Sequence, residues 1–399
     1  MMDADALRFE IQEETLAGPR IKVIGVGGGG TNAVSRLISA GLSGVEFYAL
    51  NTDAQALAAS RVANKVVIGR KLTRGFGAGS DVGLGREAAV EDTERIIELL
   101  QGAEMVFITA GLGGGTGTGA APVVASLAKS MNALTVAVVT KPFSFEGPRR
   151  MKLAEKGLAE LAASVDSVIA IPNDRILEIV PRGASIEEAF RVADDVLVQA
   201  VEGISGIMMT PGLINRDFSD IRAIMLGMGH AMMGTAEAAG ESAAVEAARR
   251  AINSPLLDGL GVKGARAILI HITGSDQLGI HDVHEACSLI RAAAANDDVQ
   301  ISFGLAIDPS MGDRVKVSVI AAGFEQYTET PSFFFSSERE SAPMITESAA
   351  ELTPAVEPIP EPAEPVRPAA EPVATAPEAL VEEDLEMPAF LLRERKLFQ

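Results

Sequence analysis

Aromatic residues are scarce in this 399-residue chain: they make up 4%, and tryptophan is missing altogether. The core must therefore be assembled from Ala, Val, Ile, Leu and Met. A single cysteine, Cys287, has nothing to pair with, which excludes an intrachain disulfide framework and fits a reducing compartment. Positive charge is short as well. Against 54 Asp and Glu stand 34 Lys and Arg, for a net charge of −20, which argues against a broad nucleic-acid footprint. A small anion held by backbone amides is compatible with that balance. Long apolar runs are lacking too. The longest uncharged stretch, between Glu104 and Lys129, is broken by glycines and by Pro122, so it reads as buried strand, loop and helix instead of a membrane span. The acidic start MMDADALRFEIQEETLAGPR has no apolar segment of a secretion signal. The expectation is a soluble, cytoplasmic protein without direct membrane insertion and without nucleic acid.

What is present is alternation. Residues 1–20 read as a flexible leader, and from Ile21 short apolar runs alternate with helical patterns. IKVIGV, a helix from Asn32 to Ala40, GVEFYAL, a helix from Glu87 to Leu100, MVFITAG, a helix after Pro122, ALTVAVVT and SVIAIP follow in turn. β-Branched runs separated by helices imply a parallel sheet covered on both faces, with ligands outside the carboxyl ends of its strands. A long amphipathic helix then covers 184–209, with Ile186, Phe190, Ala193, Leu197, Ala200, Ile204 and Met208 at three- and four-residue steps. Beyond Pro211-Gly212, helices near 218–227 and 235–252, the run ARAILIHITG, a helix near 280–295 and two closing strands predict a smaller α+β unit. After Tyr327 the composition turns to Pro, Glu and Ala. Between Glu338 and Glu386 thirteen acids face two arginines, too polar a stretch to offset its ordering entropy, so it is expected to stay extended. The last residues, MPAFLLRERKLFQ, are apolar and then basic, as suits a peptide that folds onto a partner.

Two glycine loops follow two strands of the expected sheet. In GVGGGGTNAV, Gly25, Gly27 and Gly30 match G-x-G-x-x-G with Asn32 opening the helix. Helix amino ends with glycines admit phosphate, but the pattern also fits a dinucleotide-dependent dehydrogenase, with Asp53 as its ribose acid. The second loop, GGGTGTG at 113–119, offers amides and the hydroxyls of Thr116 and Thr118 with no lysine after it, unlike the common phosphate-binding loop. A triphosphate wrapped from two sides would use both loops.

GGGTGTG resembles the tubulin-type signature, and the chain from about Ile21 to Phe324 is similar to the FtsZ family of bacterial cell-division GTPases, with a further match in the tail. The resemblance implies a tubulin/FtsZ fold of class α/β. Residues 21–183 would form a Rossmann-like parallel-sheet GTP-binding domain and 184–210 the central helix. An α+β activation domain would span 211–327, with a disordered linker over 328–386 and a partner-binding peptide over 387–399. It implies GTP/GDP as ligand with Mg²⁺ bound alongside, and no protein-held metal site. Gly28, Gly29 and Asn32 would contact the nucleotide, Ala78 and Gly79 would line the γ-phosphate side, and Gly111, Gly114, Gly115, Thr116 and Gly117 would cradle phosphates. Glu146 and Arg150 match ribose contacts, and Asn173, Phe190 and Asp194 match the guanine pocket. Phe190 and Asp194, at i and i+4, share a helix face, so a ring can stack on the base while a carboxylate accepts from guanine N1–H and the 2-amino group. Read singly, Phe190 is plain core and Asp194 an exposed helix acid.

The acids for hydrolysis come late. In NRDFSDIRAIM, Asp217 and Asp220 stand three apart at a helix start, where acids and a Ser219 cap are ordinary. The resemblance gives Asn215, Asp217 and Asp220 another role: a loop inserted into the nucleotide site of the next copy, polarising the attacking water. The implied product is a head-to-tail filament of the chain with itself, forming the cytokinetic ring on the inner face of the membrane. Residues 388–396 would dock on a membrane-bound adaptor such as FtsA. A non-hydrolysing regulator is the alternative, motivated by Arg216, a cation where the family has an aliphatic residue. Asp81-Val82 in place of a Pro-containing pair and the doubled Leu391-Leu392 are further departures. His281, His284 and Cys287, at steps of three, are read as a surface helix face, and His230 as structural.

Overall fold

The structure is a computed structural model and describes residues 18–209, 212–214, 217–257, 261–296 and 298–324, all within one compact unit. The leader to residue 17, the linker, the tail peptide, Asn215 and Arg216 lie outside the described residues.

The first half builds the parallel sheet. Strand β1 (Ile21–Val26) runs into helix α1 (Gly27–Ser39), β2 (Val45–Asn51) into α2 (Ala54–Ala59), and β3 (Asn64–Val67) into α3 (Arg70–Thr73), α4 (Val82–Glu91) and α5 (Thr93–Leu100). Then come β4 (Met105–Gly111), α6 (Gly115–Ser130), β5 (Leu134–Lys141), α7 (Pro148–Ser164), β6 (Ser167–Pro172) and α8 (Asn173–Ile179). The long helix α9 (Ile186–Met209) leads to β7 (Gly212–Ile214), α10 (Phe218–Met225), β8 (Gly229–Ala239) and α11 (Ala243–Ile252). Strand β9 (Ala267–Gly274), α12 (Ile280–Ala294), β10 (Gln300–Ile307) and β11 (Arg314–Ala322) complete the order.

Among the described residues, eleven strands hydrogen-bond in one sheet, in the order β3-β2-β1-β4-β5-β6-β8-β11-β9-β10-β7. The first six are parallel, as the apolar runs require, and β6 joins the later part through Ser167–Ile169 beside Gly229–Ala231. Alternation within β1 sorts the two faces. Ile21 and Val23 pack with α1, α9 and α10, whereas Ile24 and Val26 pack with α4, α5, α6 and α7. A third cluster lies between α11, α12 and the outer face of β9 (Ile268, Ile270, Ile272). Helix α9 buries Leu197, Ala200, Val201 and Ile204 against strands of both halves.

Several boundaries depart from the expected ones. Helix α1 begins at Gly27, five residues before Asn32, and α6 begins at Gly115 with Pro122 inside it. Glycine is a poor helix former, but here it permits approach no other residue allows: a Cβ on Gly119 would lie 2.1 Å from Val82 O of α4. The helix expected over 87–100 is broken at Asp92, whose carboxylate takes the Gly69 amide at 2.7 Å. Residues 235–239, expected in a helix, lie in β8, because pairing with β11 outweighs the helix propensity of their alanines and glutamate. On α9 the apolar stripe leaves the core at its start: Ile186 is 68% exposed and Phe190 41%.

Candidate functional site

The carboxyl ends of β1 and β4 meet at the two glycine loops. There the glycines fall into two kinds. Gly30 is packed so closely that a Cβ would lie 2.2 Å from Thr109 O, whereas a Cβ on Gly28 or Gly114 would meet nothing within 4 Å. The first kind lets α1 seat against β4; the second leaves open space. That space is a cavity of about 430 Å³.

One end of the cavity is lined by Gly28, Gly29 and Asn32 of α1, Gly79, and Gly111, Gly114, Gly115, Thr116 and Gly117 at the start of α6. First-turn amides of a helix have no intrahelical acceptor, so two amino ends converge on one anion site without a cationic side chain. The rim is tied together: Gly115 N–H donates to Gly79 O at 3.0 Å, and the hydroxyls of Thr52 and Thr116 are 2.7 Å apart. Ala78 is buried just behind the lining, with its carbonyl against Gly115. Thr118, expected to offer its hydroxyl to the ligand, uses it to accept from Gly113 N–H at 2.8 Å and does not line the cavity. It shapes the loop.

The middle is lined by Glu146 and Arg150, an ion pair at 2.6 Å. Glu146 also takes the Phe143 amide at 2.8 Å, so its carboxylate is fixed while the Arg150 side chain stays half-exposed. The far end carries Asn173, Phe190 and Asp194. Phe190 is not the plain core residue that its position in the stripe suggests. Its ring stands edge-on to Phe143 at 5.2 Å, 88° between planes, and it stays partly exposed at the cavity wall. Asn173 is 4% exposed and its Oδ1 has no hydrogen-bond partner, a deficit costing about 1–3 kcal/mol unless a ligand fills it. Leu112, Thr140, Pro142 and Ala193 complete the wall and had no motif to mark them. Thr140 pairs with Gly111 at the carboxyl end of β5, the one signal that could have found it.

Asp194 is mostly buried, not an exposed helix acid. Burial pushes its pKa up to about 6, against the pull of Arg36 at 3.6 Å and with a push from Asp195. A raised carboxyl pKa means that the folded state holds the proton more tightly than the unfolded chain. Ionised Asp194 therefore costs stability above pH 6, and the cost vanishes below the unfolded value of 3.8. Asp194→Asn is expected to stabilise the nucleotide-free protein by about 2 kcal/mol at pH 7.5, a gain that shrinks toward pH 4. Urea unfolding at both pH values checks this; equal stability at pH 7.5 would contradict it.

Asp217 and Asp220 do not line the cavity. Asp217 caps α10, accepting from Asp220 N–H at 2.8 Å. Arg222 of the same helix donates to Asn132 O, just before the amino end of β5, whereas Thr140 of the cavity stands at the other end of that strand. Six residues of strand separate those ends, roughly 20 Å. Asp53, the ribose acid of the dehydrogenase alternative, caps α2 by accepting from Gln55 and Ala56 and takes no part in the cavity.

A sheet parallel over its first six strands, with two amide-lined helix starts facing one cavity, is the architecture of a phosphate-binding α/β protein, and comparison narrows the class. The GTPase domain of the Tubulin/FtsZ family matches residues 20–181, and the C-terminal domain of the FtsZ family matches 229–325. An empty FtsZ dimer from M. jannaschii is 44% identical with a TM-score of 0.73, covering 76% of this chain and 88% of that one. CetZ2 from Haloferax volcanii, solved as a GTPγS-bound protofilament, is 26% identical with a TM-score of 0.67, over 77% and 94% of the two chains. CetZ1 of the same organism, a GDP-bound monomer at 21% identity and a TM-score of 0.66 over 77% and 95%, shares the fold. The chain belongs to the FtsZ family, within the tubulin/FtsZ GTPases. Among the described residues no helix is long and apolar enough to cross a membrane.

Proposed function

We propose that the chain is a GTP-dependent, filament-forming cell-division protein whose hydrolytic site is completed between two copies. The observation that carries this reading is the distance between its two halves. The amide cups open at the carboxyl ends of β1, β4 and β5, whereas α10, the helix that carries the acids, is tied through Arg222 to Asn132 at the amino end of β5, roughly 20 Å along that strand in the same chain. The described residues do not join them within one copy. A head-to-tail contact does, and such a heterologous contact repeats into a filament.

In this reading residues 21–183 hold the nucleotide, 184–210 connect, and 211–327 bring Asn215, Asp217 and Asp220 to the neighbour's γ-phosphate. The cups and the cation balance the charge spreading over the phosphoryl oxygens, while Asp217 and Asp220 orient the water that displaces GDP. The phosphate end of the cavity presents amides and a threonine hydroxyl, with no carboxylate, so Mg²⁺ would ride on phosphate oxygens and water, as that ion prefers. Phe190 would stack on guanine, Asp194 and Asn173 would read its edge, and Glu146 with Arg150 would take the ribose. The segment 328–386 would tether, and 388–396 would bind an adaptor such as FtsA and bring the filament to the division site.

Specific GTPase activity should rise steeply with protein concentration and level off as filaments sediment. Per-molecule turnover that is flat from dilute monomer to concentrated protein would contradict the shared site.

A further inference from the structure

We propose that Arg36, which does not line the cavity, is a positioning residue for base recognition: from α1 it holds the Asp194 carboxylate ionised and aimed at the nucleobase. This rests on the guanine reading of the pocket. Gly28, Asn32 and Arg36 follow one another at four-residue steps on α1, hence along one face. The first two line the cavity, so the face runs from its phosphate end toward its base end, about 12 Å from Gly28 to Arg36. At that end Arg36 Nε lies 3.6 Å from Asp194 Oδ2, and Arg36 Nη1 lies 3.8 Å from Asp195 Oδ1.

The charges around Asp194 are few. Arg36 reaches it from α1, Asp195 lies beside it on α9, and across the cavity Glu146 and Arg150 are paired with each other. From α8 comes Asn173, which is neutral. Burial and Asp195 both favour the protonated carboxyl, and among the described residues Arg36 is the neighbour that opposes them. A protonated carboxyl keeps an acceptor but loses the paired acceptors that match guanine N1–H and the 2-amino group. Arg36 thus couples the phosphate-gripping helix to the discrimination of the base. It also stands in the last turn of α1, where a cation is favourable on helix-dipole grounds alone, so the test must separate the two roles.

The separating measurement is the ratio of GTP to ATP affinity in the full chain from pH 5.5 to 8.5. The two nucleotides share a triphosphate, so its own titration cancels in the ratio. In the parent the ratio should fall as pH drops through about 6, with Asp194. In Arg36→Gln the midpoint should rise by about one pH unit, lowering the ratio about fivefold near pH 6 and leaving it close to the parent value at pH 8.5. Arg36→Lys should restore most of the shift. An unmoved midpoint, or a loss in Arg36→Gln that is uniform across the pH range, would overturn the proposal and reduce Arg36 to a structural residue. A parent protein that fails to prefer GTP over ATP at any pH would overturn the guanine reading itself, and this inference with it.

Discussion

Asp217→Asn should bind GTP within about twofold of the parent and turn it over some 10²–10³-fold more slowly, the range typical of a lost water-activating group. Asparagine is chosen because Asp217 has two jobs that alanine would confound. It caps α10 by accepting from Asp220 N–H at 2.8 Å, and it supplies a carboxylate. Asn caps a helix about as well as Asp, whereas Ala would cost around 1 kcal/mol and loosen the segment that carries both acids. The exchange thus keeps the cap and removes only the charge. Binding should be spared because the cups stand at the other end of β5 and share no residue with α10. Equilibrium binding beside a single-turnover assay separates the two effects. Undiminished turnover would make Asp217 a cap and nothing more.

Gly114→Ala and Gly30→Ala should fail in opposite ways. Gly114 has ordinary extended backbone angles, and a Cβ there meets nothing within 4 Å. Its alanine variant should melt within a few degrees of the parent yet bind GTP about 10–100-fold more weakly, because the methyl occupies space where phosphate must lie against the amides. Gly30→Ala drives a Cβ to 2.2 Å from Thr109 O, backbone that cannot swing aside. The variant should lose about 3 kcal/mol or more, or fail to fold. Thermal melting paired with nucleotide titration reads both. A Gly114→Ala protein that binds normally would put the phosphates elsewhere; a stable Gly30→Ala protein would contradict the packing of α1 on β4.

The parallel half of the fold was legible because most of its strands are continuous apolar runs, and glycine marks the turns after β1 and β4. Where glycine entered a helix instead of a loop, at Gly27 and Gly115, local propensity misplaced the boundary, since the deciding contact lies with another segment. Strand β8 was hidden for a related reason. GHAMMGTAEAA carries residues that favour helices, and only β11 beside it fixes the extended form. In the site, the phosphate cups had a dense glycine motif to betray them, and the base end had only the i, i+4 spacing of Phe190 and Asp194, which is common in ordinary helices. Phe190 and Asp194 gain meaning from their helix face, from the edge-on contact of the ring with Phe143 and from the burial that raises the Asp194 carboxyl. Arg36, eleven residues past the first loop motif's opening, has no signal in the sequence, because only the packing of α1 beside α9 brings it to Asp194.

The shared site is tested most directly by mixing two defective copies. Asp217→Asn has a sound cup and lacks the acid; Gly114→Ala has the acids and a spoiled cup. At a GTP concentration that fills only the sound cup, each should be nearly inactive alone. Mixed in equal amounts, they should hydrolyse GTP well above the sum of the separate rates, because the second variant can lend its acids to the first. A mixture no faster than that sum would mean that cup and acids act within one chain, and the account would fall.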